Sequence, residues 1–268
     1  MTTEGAPMPS GRGGLALDGR CIVVTRPAEQ AGGLCRAIRA AGGEALLFPV
    51  LAIGPVADAG PLNDIVDHLD DFDIAFFVSP NAVRHALDSL VARRQWPAGL
   101  RVATVGKGSE RELRRHGFER VIAPQSGFDS ESVLALPEFA AEAVAGRRVL
   151  VFRGDGGRDL LGDTLLERGA EVVFVPCYRR YRPDIDPSPI LDRALEATLD
   201  ALLLTSSEGV GNLVEMVGSA GMQTLRDVPV FAPHPRIVEH ARAAGFRNVF
   251  ETEAGEDGML RALVSHFG

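Results

Sequence analysis

The sequence predicts an α/β protein built from two similar domains, each organised around a parallel β-sheet. When the chain is shifted by 127 residues it matches itself along most of its length, so that Arg26 falls on Arg153 and Leu34 on Leu161. In both halves, short apolar runs alternate with stretches of helical periodicity. A repeat of this length is a whole domain, because solenoid repeats span only a few tens of residues. The chain is therefore predicted to be a duplication.

The apolar runs are predicted to be strands with helices on both sides of the sheet, because strands covered on both faces lack the polar alternation of half-exposed ones. Between the runs, Leu34, Ile38 and Ala41 keep the three-to-four spacing of a helix face packed on a sheet. This alternation gives parallel βαβ units with right-handed crossovers. Each domain is expected to be flavodoxin-like in outline. The runs are residues 21–25, 74–79, 102–106, 149–153, 201–206 and 228–232.

Two segments interrupt the alternation at equivalent places in the two halves, at residues 48–55 and 175–183. Both are extended and bounded by proline, which favours connectors over helices. If the chain crosses between domains at these connectors, the first βα unit packs with residues 184–268, and residues 56–174 form an inserted domain. Periodicity alone also allows a plain tandem arrangement of the two halves.

Composition narrows the possible functions. The 268 residues are 46% hydrophobic, which is ample for two packed cores, and the formal net charge is -8. An acidic chain of this kind is not expected to bind nucleic acid or an anionic membrane, because such binding depends on clustered Lys and Arg. An anionic small molecule would need a local basic site.

The sequence also predicts no metal site and no membrane span. The three cysteines form no CxxC pair, the histidines show no HExxH spacing, and no stretch reaches the ~18 apolar residues of a membrane helix. Residues 1–17 lack the apolar core of a signal peptide and are expected to form a disordered tail. These features predict a cytoplasmic protein with reduced, structural cysteines.

The candidate binding residues stand where predicted strands end. In open parallel sheets, ligands bind beyond the carboxyl ends of the strands, where helix N-termini present free N–H groups and a partial positive charge. Hydroxyls, glycines and cations follow the strands here, so these ends are expected to hold an anionic ligand. The candidates are Thr25, Arg26, Ser79, Pro80, Asn81, Gly106, Lys107, Ser109, Arg153, Arg158, Thr205, Ser206, Ser207 and His234.

Several of these residues have a structural explanation that needs no ligand. Ser79 before Pro80 is predicted to be a helix N-cap, and the pairs Ser109 with Glu112 and Thr205 with Glu208 match a capping box. Each cap would stabilise its helix by about 1 kcal/mol. A binding role is favoured only by the convergence of all these groups on one cleft between the domains.

In this order, the strand-end segments resemble the uroporphyrinogen III synthase family. The segments are VVTRPAEQAGGL, FDIAFFVSPNAV, RVATVGKGSERELRRHGF, RVLVFRGDGGRDLL with ERGAEVVFVPCYRR, DALLLTSSEGVGNL and VPVFAPHPRIVEHARAAGF. The resemblance implies two α/β domains joined by a two-stranded β connector. It therefore selects the swapped arrangement, with residues 18–49 plus 184–268 as domain 1, residues 56–174 as domain 2, and residues 50–55 and 175–183 as connectors.

The resemblance also implies an activity. Enzymes of this family are cyclising hydro-lyases of tetrapyrrole and heme biosynthesis that use no cofactor. They convert hydroxymethylbilane to uroporphyrinogen III: ring A loses its hydroxyl to give an azafulvene, and ring D closes the macrocycle, inverted, through a spiro intermediate. In this family a tyrosine on the second connector is the candidate for assisting hydroxyl departure, and the matching residue here is Tyr178. A phenol is protonated at neutral pH, so it can donate a hydrogen bond to the leaving hydroxyl. The implied partners are hydroxymethylbilane and, transiently, hydroxymethylbilane synthase, and a monomer is expected.

The competing interpretation is a binding protein without chemistry. A two-lobed sensor that closes on a small anion or nucleotide would have much the same fold. A flavin protein is less favoured, because TRPAEQ after the first strand lacks the hydroxyl- and glycine-rich phosphate loop of flavodoxin relatives.

Overall fold

The chain forms parallel β-sheets flanked by helices, which confirms the predicted α/β class. The structure is a computed structural model and describes residues 14–156 and 160–268. Its strands are β1 Cys21–Val24, β2 Glu44–Leu47, β3 Ala52–Gly54, β4 Ile74–Phe77, β5 Arg101–Thr104, β6 Val121–Ile122, β7 Arg148–Gly154, β8 Glu171–Tyr181, β9 Ala201–Leu203, β10 Val230–Ala232 and β11 Val249–Glu251.

Helices follow most of the strands. They are α1 Ala28–Ala40, α2 Gly60–Val66, α3 Pro80–Leu90, α4 Lys107–Arg115, α5 Ser130–Leu134, α6 Ala141–Val144, α7 Leu160–Glu167, α8 Ser188–Leu195, α9 Ser207–Leu225, α10 Pro235–Ala243 and α11 Glu256–Phe267. Short 3₁₀ turns lie at Leu69–Asp71 and Pro137–Phe139. Helix α9 is broken at Gly218, whose φ of 64° lies in the left-handed region that favours glycine.

The chain divides into two compact units. The first unit contains the described residues up to Ala52 together with Arg182–Gly268, and the second unit is Ile53–Tyr181. The sheet of the first unit has the order β11-β10-β9-β1-β2, with parallel pairing throughout. The other sheet has the order β3-β8-β7-β4-β5-β6, in which β8 through β6 pair in parallel. Apart from β3, the two sheets show the same pattern of crossovers.

The apolar runs form strands because helices cover both faces of each sheet. In β1, Ile22 and Val24 pack with α1 and α11, whereas the alternate residues Cys21 and Val23 pack with α9 and α10. The second unit repeats this arrangement: Phe77 stacks on Phe152 at 4.9 Å on one face. On the other face, Phe76 meets Phe139 edge-on at 6.1 Å. Every residue of such a strand is therefore buried, and no polar alternation is seen.

The structure adds strands that the apolar runs did not predict. Strands β2, β6 and β11 are short and lie at or near sheet edges, where exposed positions such as Glu44 and Glu251 dilute the apolar signal. The segment predicted as a connector from residue 175 is the second part of β8, which begins at Glu171 and pairs with β7 as far as Tyr178. Backbone pairing of this kind leaves little trace in side-chain pattern.

The end of the predicted tail belongs to the core of the first unit. Leu17 is fully buried in the core of the first unit, and its backbone N–H donates to the carbonyl oxygen of Ala41 at 2.9 Å. The prediction that the disordered tail extends to residue 17 is therefore wrong at this end, because Leu17 supplies apolar surface that the core buries. Residues 1–13 of the predicted tail lie outside the described residues.

Candidate active site at the strand ends

In the first unit, Thr25 marks the point where the order of the strands reverses. It follows β1, is 2% exposed, and its Oγ1 donates to the carbonyl oxygen of Leu203 in β9 at 2.5 Å. The helices that follow these two neighbouring strands, α1 and α9, pack on opposite faces of the sheet. Such a reversal opens a crevice at the strand ends, where ligands bind in open α/β sheets. Thr25 is buried where such a crevice would be expected.

Arg26, the next residue, is held by an ion pair within the first unit. Its Nη1 lies 2.9 Å from Oε1 of Glu256, in the first turn of α11. Both side chains are partly exposed, with fractions of 27% and 39%. A ligand carboxylate that reached Arg26 would therefore compete with Glu256 for the guanidinium group.

The helix that follows β9 begins one residue later than predicted. Ser206 is the N-cap of α9, and its Oγ accepts the backbone N–H of Gly209 at 2.9 Å. The predicted capping box of Thr205 with Glu208 is therefore wrong: Ser206 takes the extended cap conformation, so Thr205 precedes the helix and Ser207 is its first residue. Thr205, Ser206 and Ser207 are all partly exposed at this helix start.

His234 caps the helix that follows β10. Its Nδ1 accepts the backbone N–H of Arg236 at 3.1 Å, and the side chain is exposed. The capping contact uses Nδ1 as an acceptor, so Nε2 is the ring nitrogen that can donate a hydrogen to a ligand. This geometry is compatible with the carboxylate contact expected of His234.

In the second unit, Tyr178 is joined to Ser79 by a hydrogen bond. Tyr178 lies on β8 and is 3% exposed, and Ser79 Oγ donates to its Oη at 3.2 Å. Ser79 also caps α3, as predicted, by accepting the backbone N–H of Ala82 at 3.1 Å. In this arrangement Ser79 Oγ accepts from Ala82 and donates its own hydroxyl proton to the phenol oxygen. The phenol keeps its own proton for another acceptor.

The ring of Tyr178 is fixed by its neighbours. It stacks on His85 with 6.0 Å between centroids, and a Cβ added to Gly154 would lie 3.0 Å from its Cζ. Next to it, the buried Cys177 Sγ lies 3.3 Å from the carbonyl oxygen of Arg153, and burial raises the pKa of this thiol to about 12. Tyr178 is therefore closely packed where the pairing of β7 with β8 ends, beside a buried thiol whose raised pKa keeps it protonated at neutral pH.

The remaining α3 candidates have different environments. Pro80 is the first residue of α3 and is exposed. Asn81 is 7% exposed, and its Oδ1 accepts a hydrogen bond from Arg84 at 2.6 Å. Pro80 can therefore contact a ligand directly, whereas the amide oxygen of Asn81 is already bonded within the helix.

The residue that caps the start of helix α4 is a glycine. Gly106 is its N-cap and provides no side-chain hydrogen bond, and Lys107 follows as an exposed first residue. The predicted capping box of Ser109 with Glu112 is wrong, because Ser109 lies inside the helix and is 3% exposed. With an extended glycine as cap, the helix starts two residues before the serine. Lys107 is the α4 candidate that is most accessible to an anion.

Arg153 lies at the carboxyl end of β7, over the ring of Phe174 at 5.2 Å. It borders a cavity of about 120 Å³ between the sheet and the helices α5 and α7, whose walls include Val78, Leu161 and Ser130. The other candidate arginine of this segment, Arg158, lies outside the described residues.

Two residues that bear on the site were not found from the sequence. Glu256 neutralises Arg26 from 230 positions away, and no local pattern shows such a pairing. Phe128 is 43% exposed beside Lys107, with the ammonium nitrogen 5.4 Å from its ring centroid. The sequence does contain a sign that Phe128 is unusual, because it is the single aromatic residue in the polar segment SGFDSES.

Among the described residues there is no group of three or more His, Cys, Asp and Glu side chains arranged to hold a metal ion. No helix in residues 14–156 or 160–268 is both long enough and apolar enough to span a bilayer.

Comparisons with known proteins give one consistent result. A family model described as uroporphyrinogen-III synthase HemD matches residues 33–261. Uroporphyrinogen-III synthase of Escherichia coli (strain K12) is 31% identical over 245 residues, covering 90% of this chain and 99% of the relative. The enzyme of that name from Salmonella typhimurium is 31% identical over 250 residues, with the same coverage.

Solved structures of the same name share the fold. A mutant uroporphyrinogen III synthase from the extremely thermophilic bacterium Thermus thermophilus superposes with a TM-score of 0.56 at 20% identity, covering 92% of this chain and 97% of the other. Uroporphyrinogen-III synthetase from Helicobacter pylori 26695 gives a TM-score of 0.56 at 13% identity, covering 92% and 99%. At these identities the likeness shows the α/β fold with parallel sheets.

Proposed function

The chain belongs to the uroporphyrinogen-III synthase family, and we propose that it converts hydroxymethylbilane to uroporphyrinogen III with loss of water and inversion of ring D. The observation that carries this proposal is the family match over residues 33–261, together with relatives 31% identical over 90% of the chain. The sensor interpretation is not favoured, because these relatives are all named as synthases.

In the proposed mechanism, Tyr178 donates a hydrogen bond or proton to the departing hydroxyl of ring A. Support comes from its hydrogen bonding, since Ser79 Oγ gives its proton to Tyr178 Oη and the phenol proton is left for the substrate. The stack on His85 and the close approach of Gly154 limit the space in which the ring can move. Restricting the donor in advance lowers the entropic cost of reaching the transition state.

We propose that the carboxylate arms of the substrate bind at the strand ends through backbone N–H groups and cations. Each charge-assisted hydrogen bond of this kind contributes about 1.5–3 kcal/mol. The residues proposed for this role are Thr25, Arg26, Ser79, Pro80, Asn81, Gly106, Lys107, Ser109, Arg153, Arg158, Thr205, Ser206, Ser207 and His234. The exposed members Lys107, Pro80 and His234 are the first we expect to meet the substrate.

We further propose that the two units are duplicated copies that have exchanged their first βα unit. The orders β2-β1-β9-β10-β11 and β8-β7-β4-β5-β6 correspond strand for strand under the 127-residue shift. In this proposal domain 1 is residues 18–49 plus 184–268, domain 2 is residues 56–174, and the chain crosses at residues 50–55 and 175–183. A cytoplasmic location, a monomeric state, the absence of a cofactor and a transient contact with hydroxymethylbilane synthase also remain predictions.

The experiment that tests the function supplies freshly made hydroxymethylbilane and separates the oxidised type I and type III porphyrins. Without enzyme the substrate closes to the type I isomer, so a blank reaction measures the background. We expect the protein to give the type III isomer in large excess over the blank. A reaction that yields only the type I isomer, from protein with the expected circular dichroism, would reject the proposed function.

A further inference from the structure

Phe128 has a backbone conformation that L-residues rarely adopt. Its φ is 62°, in the left-handed region, and among the described residues other than glycine only Ala197, at 55°, shares a positive φ. For a bulky aromatic residue this conformation is strained, and such strain concentrates at binding and catalytic sites.

The residues on either side hold Phe128 in place. Gly127 has a φ of 92°, and a Cβ added there would lie 1.7 Å from Ser132 Oγ. On the other side, Asp129 caps α5 by accepting the backbone N–H of Ser132 at 2.8 Å. Because both neighbours are fixed against Ser132, the strained φ of Phe128 is imposed by the loop.

The strain does not place the ring in the core. Phe128 is 43% exposed, and its ring lies over the start of α4, where Lys107 Nζ is 5.4 Å from the centroid. A Cβ added to Gly106 would lie 3.6 Å from the Cβ of Phe128, which is an ordinary contact distance, so the loop packs directly beside the N-cap of α4. The loop therefore presents an aromatic face together with a cation.

This pair is continuous with the candidate active site of the second unit. A Cβ added to Gly108 of α4 would lie 3.3 Å from Cγ of Pro80, which begins α3 immediately after Ser79. Ser79 in turn bonds Tyr178. Phe128 and Lys107 thus lie along the same row of helix starts as the proposed proton donor.

We propose that Phe128 stacks on one pyrrole ring of the substrate while Lys107 binds a carboxylate arm of that ring. This inference rests on the proposed function. A pyrrole is flat and rich in π electrons, and aromatic rings prefer offset or edge-on contacts with such groups. Each pyrrole of hydroxymethylbilane also carries carboxylate arms, which suit an exposed ammonium group. The strained conformation leaves Phe128 43% exposed, so that its ring can be reached by a ligand.

The test compares three variants by steady-state kinetics with hydroxymethylbilane and by thermal unfolding. Phe128→Gly removes the ring and suits the positive φ, so we expect KM to rise about five- to tenfold while the melting temperature stays equal or increases. Phe128→Tyr keeps the ring and should keep KM within about twofold of wild type. Ala197→Gly is the matched control, since it relieves the other positive φ and should leave KM unchanged.

The outcomes separate this inference from the proposed function. If the wild-type protein makes the type III isomer and Phe128→Gly keeps the wild-type KM, the inference is wrong and the function stands. If the wild-type protein makes only the type I isomer, both are overturned. Should Phe128→Gly melt at a lower temperature, Phe128→Leu decides: a raised KM in the Leu variant but not in the Tyr variant supports stacking, and equal KM values in both reject it.

Discussion

At the residue scale, Tyr178 is buried, its ring is closely packed, and its hydroxyl oxygen already accepts one hydrogen bond. The donor is Ser79 Oγ, at 3.2 Å. With Ser79 as its donor, the phenol has its own proton available for a further acceptor, which the proposed mechanism identifies as the departing hydroxyl. The role is testable because the chain has only one other tyrosine, Tyr181, on the same strand.

Tyr178→Phe should lower kcat by about 10²–10⁴-fold if the phenol acts as a general acid. The substitution keeps the ring against His85 and Gly154, so the fold should persist. Turnover and isomer ratio with hydroxymethylbilane are the measurements. Tyr181→Phe is the matched control, since Tyr181 is 39% exposed and packs on Arg179 at the end of β8. A loss of less than about tenfold in Tyr178→Phe, with the isomer unchanged, would reduce Tyr178 to a positioning residue.

Cys177 should make stability depend on alkaline pH. Burial raises its folded-state pKa to about 12, above the ordinary value of 9.0, so between these values the folded protein keeps a proton that the unfolded chain releases. The stabilising contribution is complete below the unfolded-state pKa and is lost as pH rises toward 12, by at most about 1.4 kcal/mol per pH unit.

The measurement is urea unfolding of the wild type and of Cys177→Ala at pH 8 to 11. We expect the variant to lose stability less steeply with pH, even though its starting stability is lower. Cys21 and Cys35 are present in both proteins and also have pKa values raised by burial, so their effect cancels in the comparison. Equal slopes would show that Cys177 ionises in the folded state as readily as in the unfolded chain.

At the element scale, close packing decides how helices sit on the sheets. Gly162 of α7 faces Phe174 of β8 so closely that an added Cβ would lie 2.1 Å from Cζ of the ring. The ring of Phe174 is also covered by Arg153. The glycine is therefore needed for contact between α7 and the sheet beside the 120 Å³ cavity.

Gly162→Ala should lower the free energy of unfolding by about 1–3 kcal/mol, because the added methyl overpacks the contact with Phe174. The matched control is Gly211→Ala in α9, where an added Cβ meets nothing within 4 Å. That control should gain about 0.5–1 kcal/mol from helix propensity alone. Urea unfolding measures both variants. A gain in both would mean that Phe174 moves aside at no cost.

At the scale of the whole molecule, the swapped arrangement predicts which fragment of the chain folds. The second unit, Ile53–Tyr181, is one continuous segment with apolar clusters on both faces of its sheet. We expect this fragment, expressed alone, to show far-ultraviolet circular dichroism of an α/β protein and a single cooperative unfolding transition.

A fragment of residues 14–147 is the control of similar length. It corresponds to one tandem half and would contain β1 without its neighbour β9, and β4 without its neighbour β7. We expect it to lack cooperative unfolding, because each partial sheet would lose a central pairing. If this fragment folds cooperatively and Ile53–Tyr181 does not, the tandem arrangement is correct.

Local sequence patterns predicted the six buried strands, the helices that follow them and the strand-end positions of the candidate residues. An unbroken apolar run such as residues 21–25 indicates a strand that is buried on both faces. A serine before a proline predicts the helix start at Ser79. Edge strands such as β6 and the exact starts of α4 and α9 could not be found in this way, because exposed side chains and competing cap residues leave the local pattern ambiguous.

The individual contacts became known only from the folded chain, although the family resemblance had implied that residues 18–49 pack with residues 184–268. The pairing of β1 with β9, the ion pair of Arg26 with Glu256 and the exposure of Phe128 beside Lys107 join positions far apart in the chain. Such contacts depend on which sheets and loops the whole chain can pack at once, and hydrophobic periodicity describes only the environment of each element. The hydrophobicity of each residue predicts whether it is buried. Which residues it contacts depends on how the whole chain packs and satisfies its hydrogen bonds.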